Sequence, residues 1–254
     1  MKILVVNVNT TGTVTDSIAE AARRAASPGT TIVALQPLFG PAAVDCAFEG
    51  YISAVAVMDR VLAVDEPFDA VVLAGFGEPG RDGLQELIEQ PVIDICEASA
   101  HAALMVGRAY GVITTVQRSV PQIEDRLRSA GLLAQCASIK ATGLTTLEVD
   151  RDPERARAAI IGVAREAVEV DHAEAICLGC AGMAGLEDAI TRELGVPVID
   201  GVGAGVRLAE ALVGLGLRTS KVSTYAAPEP KRIVGWPISK FLGGGGPDAV
   251  GSNR

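Results

Sequence analysis

A thiol stands just past the end of a short apolar run. Residues Ala173 to Met183 read A-E-A-I-C-L-G-C-A-G-M, and the small residues after Leu178 place Cys180 in a turn. Cysteine suits proton transfer near neutral pH, because its ordinary pKa of about 8.5 is close to working conditions. The backbone N–H groups of Ala181 and Gly182 can point at the same ligand as the thiol. A helix starting there would favour the thiolate and any bound anion through its dipole. Residues 70 to 77 read A-V-V-L-A-G-F-G and overlay this stretch with an offset of 105, so that Ala74 falls on Gly179, Gly75 on Cys180 and Gly77 on Gly182. An offset of 106 joins Pro91-Val-Ile-Asp94 to Pro197-Val-Ile-Asp200. Two related halves are expected, each with a strand ending in a loop of the same design. One loop carries a thiol; the other carries Gly75.

Polar groups close the neighbouring strands. Asn7, Asn9, Thr10 and Thr11 follow the first apolar run, and Thr114 and Thr115 follow its counterpart. Such residues serve as turns and N-caps, and equally offer amides and hydroxyls to a polar ligand. Glu78 reads as a solvated loop charge or as a polar group near the site. His101 reads as a packed or capping residue. Cys177 lies inside its strand and reads as core, as do Cys46, Cys96 and Cys136. A C-x-x-C at Cys177 and Cys180 without a second ligand pair argues against metal or dithiol chemistry. An odd count of five cysteines points to thiols rather than a disulfide framework. No glycine loop matches a dinucleotide fingerprint or a P-loop.

The elements that must position these groups alternate. Strands are expected at 3–6, 31–35, 69–74 and 92–95, and again at 110–115, 136–140, 175–178 and 196–199. Helices are expected between them, including 14–26, 97–106, 186–194 and 203–215. Asp152-Pro153 is an N-cap before an N1 proline. Behind it Ala156, Ala159, Ile160, Val163, Ala164 and Ala167 recur at helical spacing. Ser119 to Gln122 has capping-box spacing, and Gly131 a helix stop. This alternation predicts α/β architecture with parallel sheets, whose ligands bind at strand carboxyl ends. Two such halves would place the site between Gly75 and Cys180. The expected organisation is a first lobe over 1–108, with part of 210–240 returning to it, a second lobe over 109–209, and a disordered tail over 243–254. The chain of 254 residues is 49% hydrophobic and only 4% aromatic, which suits tightly packed α/β layers. A net charge of −9 without a Lys/Arg cluster argues against nucleic acid. No run reaches a membrane span, and the start is too short for a secretory segment, so a cytoplasmic protein is expected.

Further stretches carry a resemblance. They are Ile3-Leu-Val-Val-Asn-Val-Asn-Thr10, similar to an N-P-N-T start with Val8 in place of proline, then Gly40-Pro41, Phe76-Gly-Glu-Pro-Gly80, Pro91-Val92 with Glu97-Ala98, and Ser119-Val-Pro121. Cys177-Leu-Gly-Cys-Ala-Gly-Met183 and Gly195-Val-Pro-Val-Ile-Asp-Gly201 complete the set. Over nearly all of 1–219 the chain resembles the aspartate/glutamate/hydantoin racemase superfamily, most closely its hydantoin and allantoin racemases. The resemblance implies two pseudo-symmetric parallel α/β lobes with the active site in the cleft between them. It implies an isomerase without cofactor or metal, a small-molecule substrate and a homo-oligomer. In that family one cysteine from each lobe faces the substrate's acidic carbon, one removing the proton and the other returning it. Cys180 matches the second; the first falls on Gly75. An introduced change, a natural enzyme working with Cys180 alone, or service of the empty face by Glu78 or a water each account for the glycine. The implied activity is racemisation of a 5-substituted hydantoin, allantoin or similar carbon acid, inactivated or redirected by Gly75. Asn9, Thr10 and Thr115 would orient the ligand, and the backbone N–H groups of Phe76, Gly77, Ala181 and Gly182 would stabilise negative charge. Two other readings stand: a lyase resembling the arylmalonate decarboxylases, acting on a malonate through Cys180 alone, and a non-catalytic ligand-binding protein.

Overall fold

The computed structural model describes residues 1–77 and 79–232, Asp150 by its backbone alone. Glu78 and the tail expected over 243–254 lie outside the described residues. The first half runs β1 (Lys2–Asn7), α1 (Gly12–Ala25), β2 (Thr31–Leu35), α2 (Ala47–Leu62), β3 (Ala70–Ala74), α3 (Arg81–Leu87), β4 (Val92–Asp94) and α4 (Ile95–Leu104). The second runs β5 (Tyr110–Thr114), α5 (Val120–Ser129), β6 (Cys136–Ala141), α6 (Thr146–Arg151), α7 (Pro153–Glu169), β7 (Ala175–Leu178), α8 (Glu187–Leu194), β8 (Val198–Asp200) and α9 (Gly201–Gly214). Each half builds a four-stranded parallel sheet, in orders β2-β1-β3-β4 and β6-β5-β7-β8. The two α/β lobes repeat one topology. In each, the chain leaves the first strand for one neighbour and returns to the other side, so a switch point opens between β1 and β3 and between β5 and β7.

Local chemistry explains the element ends. Asp152 caps α7 by accepting from the Arg155 amide, with Pro153 at N1. Ala156, Ile160, Ala164 and Ala167 bury the inner stripe of α7, while Ala159 and Val163 flank it partly exposed. Gly131 follows α5 at φ +75°. The expected Ser119 cap is absent: Ser119 makes no capping bond, and a 3-10 turn over Gln117–Ser119 leads into α5 instead. Helix α6 was not expected. It begins at a capping box between Thr145 and Glu148 and spans only six residues.

The repeated P-V-I-D motifs form matching corners. Asp94 accepts from the Glu97 amide to cap α4, and Asp200 accepts from the Val202 and Gly203 amides to cap α9. The two helices pack on each other and then diverge onto opposite sheets. From α9, Val202, Val206 and Ala209 join Ile3, Val5 and Val72 beneath the first sheet. From α4, Cys96, Ala100 and Ala103 join Tyr110, Val112 and Cys177 beneath the second. The boundary expected at residue 209 falls inside α9. An ion cluster crosses the same junction. The fully buried Asp94 accepts from Arg126 Nη2 at 2.7 Å and Nε at 3.2 Å, and Arg81 Nε stands 3.6 Å away.

Among the described residues no helix is long and apolar enough to cross a membrane.

Candidate active site

Both switch points open onto one cavity of about 350 Å³. Asn7, Val8 and Asn9 line it from the end of β1, and Ala74 to Gly77 with Pro79 and Gly80 from the end of β3. Thr114 and Thr115 line it from β5, and Gly179 to Gly182 from the end of β7. Eight of the nine residues singled out in the sequence therefore meet: Asn9, Gly75, Phe76, Gly77, Thr115, Cys180, Ala181 and Gly182. Thr10 does not. Its amide and hydroxyl donate to the Pro41 carbonyl at 3.0 and 3.2 Å, so it fastens the loop after β2 rather than lining the cavity.

The polar floor is tightly organised. Asn7 donates through Nδ2 to Asn9 Oδ1 at 3.0 Å and to Thr15 Oγ1 at 2.9 Å, and accepts from the Asn9 amide at 3.1 Å. Asn9 Oδ1 also accepts from the Thr11 amide at 2.9 Å. With its oxygen spent, Asn9 has its NH₂ to offer a ligand. Thr115 uses its carbonyl to hold Thr142 and Gly143, and its hydroxyl makes no hydrogen bond among the described residues. The N–H groups of Phe76, Gly77 and Ala181 have no backbone acceptor there either. Gly77 sits at φ +129°, a conformation that side-chain-bearing residues rarely adopt.

Cys180 is half-buried at the cavity wall, while Cys177 is fully buried in β7 among α4 residues. The C-x-x-C is thus split between two faces of the second lobe, and burial pushes the Cys177 thiol up to about 12. Around Cys180 the structure differs from expectation. The following residues form a 3-10 turn, Ala181–Met183, rather than a helix. The Gly182 and Met183 amides are close enough to the sulfur to favour its thiolate. Burial raises the Cys180 pKa above its ordinary value, the Asp45 charge adds to the rise, and the two amides and Thr146 oppose it. The net direction favours the protonated thiol.

Gly75 has no Cβ, and packing explains why none fits. A Cβ there would lie 2.5 and 2.9 Å from the two Val8 methyls and 3.1 Å from Pro79 Cδ. Its φ lies outside the left-handed region, so the backbone would accept a side chain and Val8 refuses it. The β1–β3 register, with Asn7 beside Ala74, makes residues 8 and 75 neighbours. Val8 and Gly75 together give the first lobe a wall without an acid or base.

Sequence reasoning missed Val44, Asp45, Tyr51, Ser119, Gln122 and Thr146. All but Asp45 line the cavity, and Asp45 hydrogen-bonds to Thr146. The available signals were slight: the capping box at Thr145 for Thr146, and Glu49 three residues after Cys46 for the start of α2, where its carboxylate accepts from the Asp45 and Cys46 amides.

Comparison with known proteins adds to this geometry. The pattern of the family described as Asp/Glu/Hydantoin racemase matches residues 3–209. The chain is 42% identical over 236 residues to a hydantoin racemase of Pseudomonas sp. (strain NS671), covering 92% of this chain and 95% of that one. The crystal structure of allantoin racemase from Pseudomonas fluorescens superposes with a TM-score of 0.91 at 57% identity, covering 92% of this chain and all, 100%, of that one. Allantoin racemase from Klebsiella pneumoniae gives 0.91 at 37% identity, over 95% and 98% of the two chains. Arylmalonate decarboxylase shares the fold at a TM-score of 0.57 and 18% identity, over 89% and 97%.

Proposed function

The chain belongs to the Asp/Glu/hydantoin racemase family, and on that premise we propose that it is a cofactor-independent isomerase of a hydantoin, allantoin or similar cyclic carbon acid. Cys180 is the acid/base. The observation that carries this reading is the shared cavity, where a protonated thiol from one lobe meets the polar floor Asn7, Asn9 and Thr115. The carbon between a ring carbonyl and a ring nitrogen is acidic enough for proton transfer without a metal. Negative charge developing on the carbonyl oxygen falls to the Asn9 NH₂, the Thr115 hydroxyl and the N–H groups of Phe76 and Gly77. Cys180 moves the proton on one face. Water in the cleft serves the face toward Gly75, which makes inversion slower than with two thiols.

The test is incubation of single hydantoin and allantoin enantiomers in deuterated water. Exchange at the acidic carbon with loss of optical rotation, both abolished in Cys180→Ser, supports the proposal. Rotation and proton signal unchanged by the enzyme overturn it.

A second reading has one observation in its favour. The Val8–Gly75 wall carries no proton acceptor, which suits one-sided protonation after decarboxylation of a malonate. Release of carbon dioxide from an α-aryl malonate, leaving one enantiomer, would establish it over racemisation.

A further inference from the structure

A line of polar groups reaches Cys180 from the other lobe. Asp45, just before α2, accepts from Thr146 Oγ1 at 3.1 Å, and Thr146 shares the cavity wall with Cys180, where its hydroxyl favours the thiolate. Asp45 is itself fixed. Its amide donates to Glu49 Oε2 at 2.7 Å, and its carbonyl accepts from Ser119 Oγ at 3.4 Å. We propose that Asp45 is a positioning residue for Cys180, acting across the cleft through the Thr146 hydroxyl. This rests on the proton-transfer role given to Cys180 above.

The argument is one of donor counting. A threonine hydroxyl has one hydrogen and two lone pairs. While that hydrogen is given to Asp45, the oxygen can only accept from the sulfur, which holds Cys180 as S–H in one orientation. When the S–H bond breaks and the proton joins the substrate carbanion, sulfur keeps the electron pair. The Thr146 hydrogen can then turn to the thiolate, beside the Gly182 and Met183 amides already aimed there. Asp45 thus favours the thiol and the amides favour the thiolate, which brings the two protonation states closer in energy.

The charges around this line are few. The Glu49 carboxylate is turned onto the Asp45 and Cys46 amides, and that of Glu148 onto Thr145. Arg118 and Arg151 are exposed at the start of α5 and the end of α6. The Tyr51 phenol lines the cavity.

The experiment is the pH profile of Cys180 alkylation by iodoacetamide in the full chain, read by mass spectrometry of the Cys180 peptide. Asp45→Asn should move the profile to lower pH, accelerating alkylation at pH 7 about tenfold for each pH unit moved. Thr146→Ser should keep the wild-type profile and its response to Asp45→Asn. In Thr146→Val, Asp45→Asn should have little further effect. An Asp45→Asn profile that overlays wild type, or a shift of full size in the Thr146→Val background, overturns the proposal. Because alkylation needs no turnover, full activity in Cys180→Ser would sink the functional reading separately.

Discussion

Installing a second thiol tests the wall at Gly75 most directly. Gly75→Cys adds a Cβ 2.5 Å from one Val8 methyl and 2.9 Å from the other, well inside the usual carbon contact of about 3.5–4.0 Å. Val8 is 6% exposed and packs with Leu4, Val6 and Leu73. Its branched side chain is stiff, so it cannot rotate aside freely. Overpacking of this kind costs about 1–3 kcal/mol. At about 2–4 °C per kcal/mol for a chain of this size, Gly75→Cys alone should melt roughly 2–12 °C lower. Val8→Ala removes both clashing methyls at a cost of roughly 1–2 kcal/mol, from about 0.8 kcal/mol per buried carbon. The double variant Val8→Ala/Gly75→Cys should therefore be more stable than the sum of the single changes. It should also racemise hydantoins faster than wild type, by as much as the ~10²-fold that one placed acid/base supplies. The assays are thermal unfolding of all four proteins and polarimetry on a single enantiomer. Strictly additive melting shifts would refute the packing argument, since no Val8–Gly75 conflict would then exist to relieve.

Other changes probe the remaining links. Cys180→Ser should lower proton exchange about 10²–10⁴-fold with the fold intact, measured by deuterium incorporation and circular dichroism. Wild-type Cys180 should alkylate more slowly than a free thiol at pH 8.5, because burial raises its pKa; the rate should climb only as pH passes above the ordinary thiol range. Arg126→Ala should destabilise the chain by about 3–5 kcal/mol in urea titration, because it strips the main partner from the buried Asp94 and leaves Arg81 at 3.6 Å.

Much of this was legible in the chain. The sequence reading of 175–178 matches β7 to the residue and that of 69–74 overruns β3 by one, and Gly75 and Cys180 both line the cavity. Local signals sufficed there, because a strand end and its turn are encoded within a few residues. Contacts across the cleft were not legible. Asp45 and Thr146 lie 101 residues apart, and nothing in either segment names the other. Thr10 was misjudged because turn threonines read alike whether they face a cavity or a neighbouring carbonyl. The departure from proline at Val8 was visible, but its meaning required the β1–β3 register. Nothing in the segments expected as helices at 97–106 and 203–215 says which sheet would receive each.

That reciprocal loan of helices has a consequence for how anything enters the cleft. If the halves swung apart like jaws, α4 would be dragged off Tyr110 and Val112, and α9 off Ile3 and Val72, exposing both undersides to water. Entry at the rim of the cavity leaves both undersides covered. A gene severed at residue 108 would accordingly yield two fragments that fold only in each other's company.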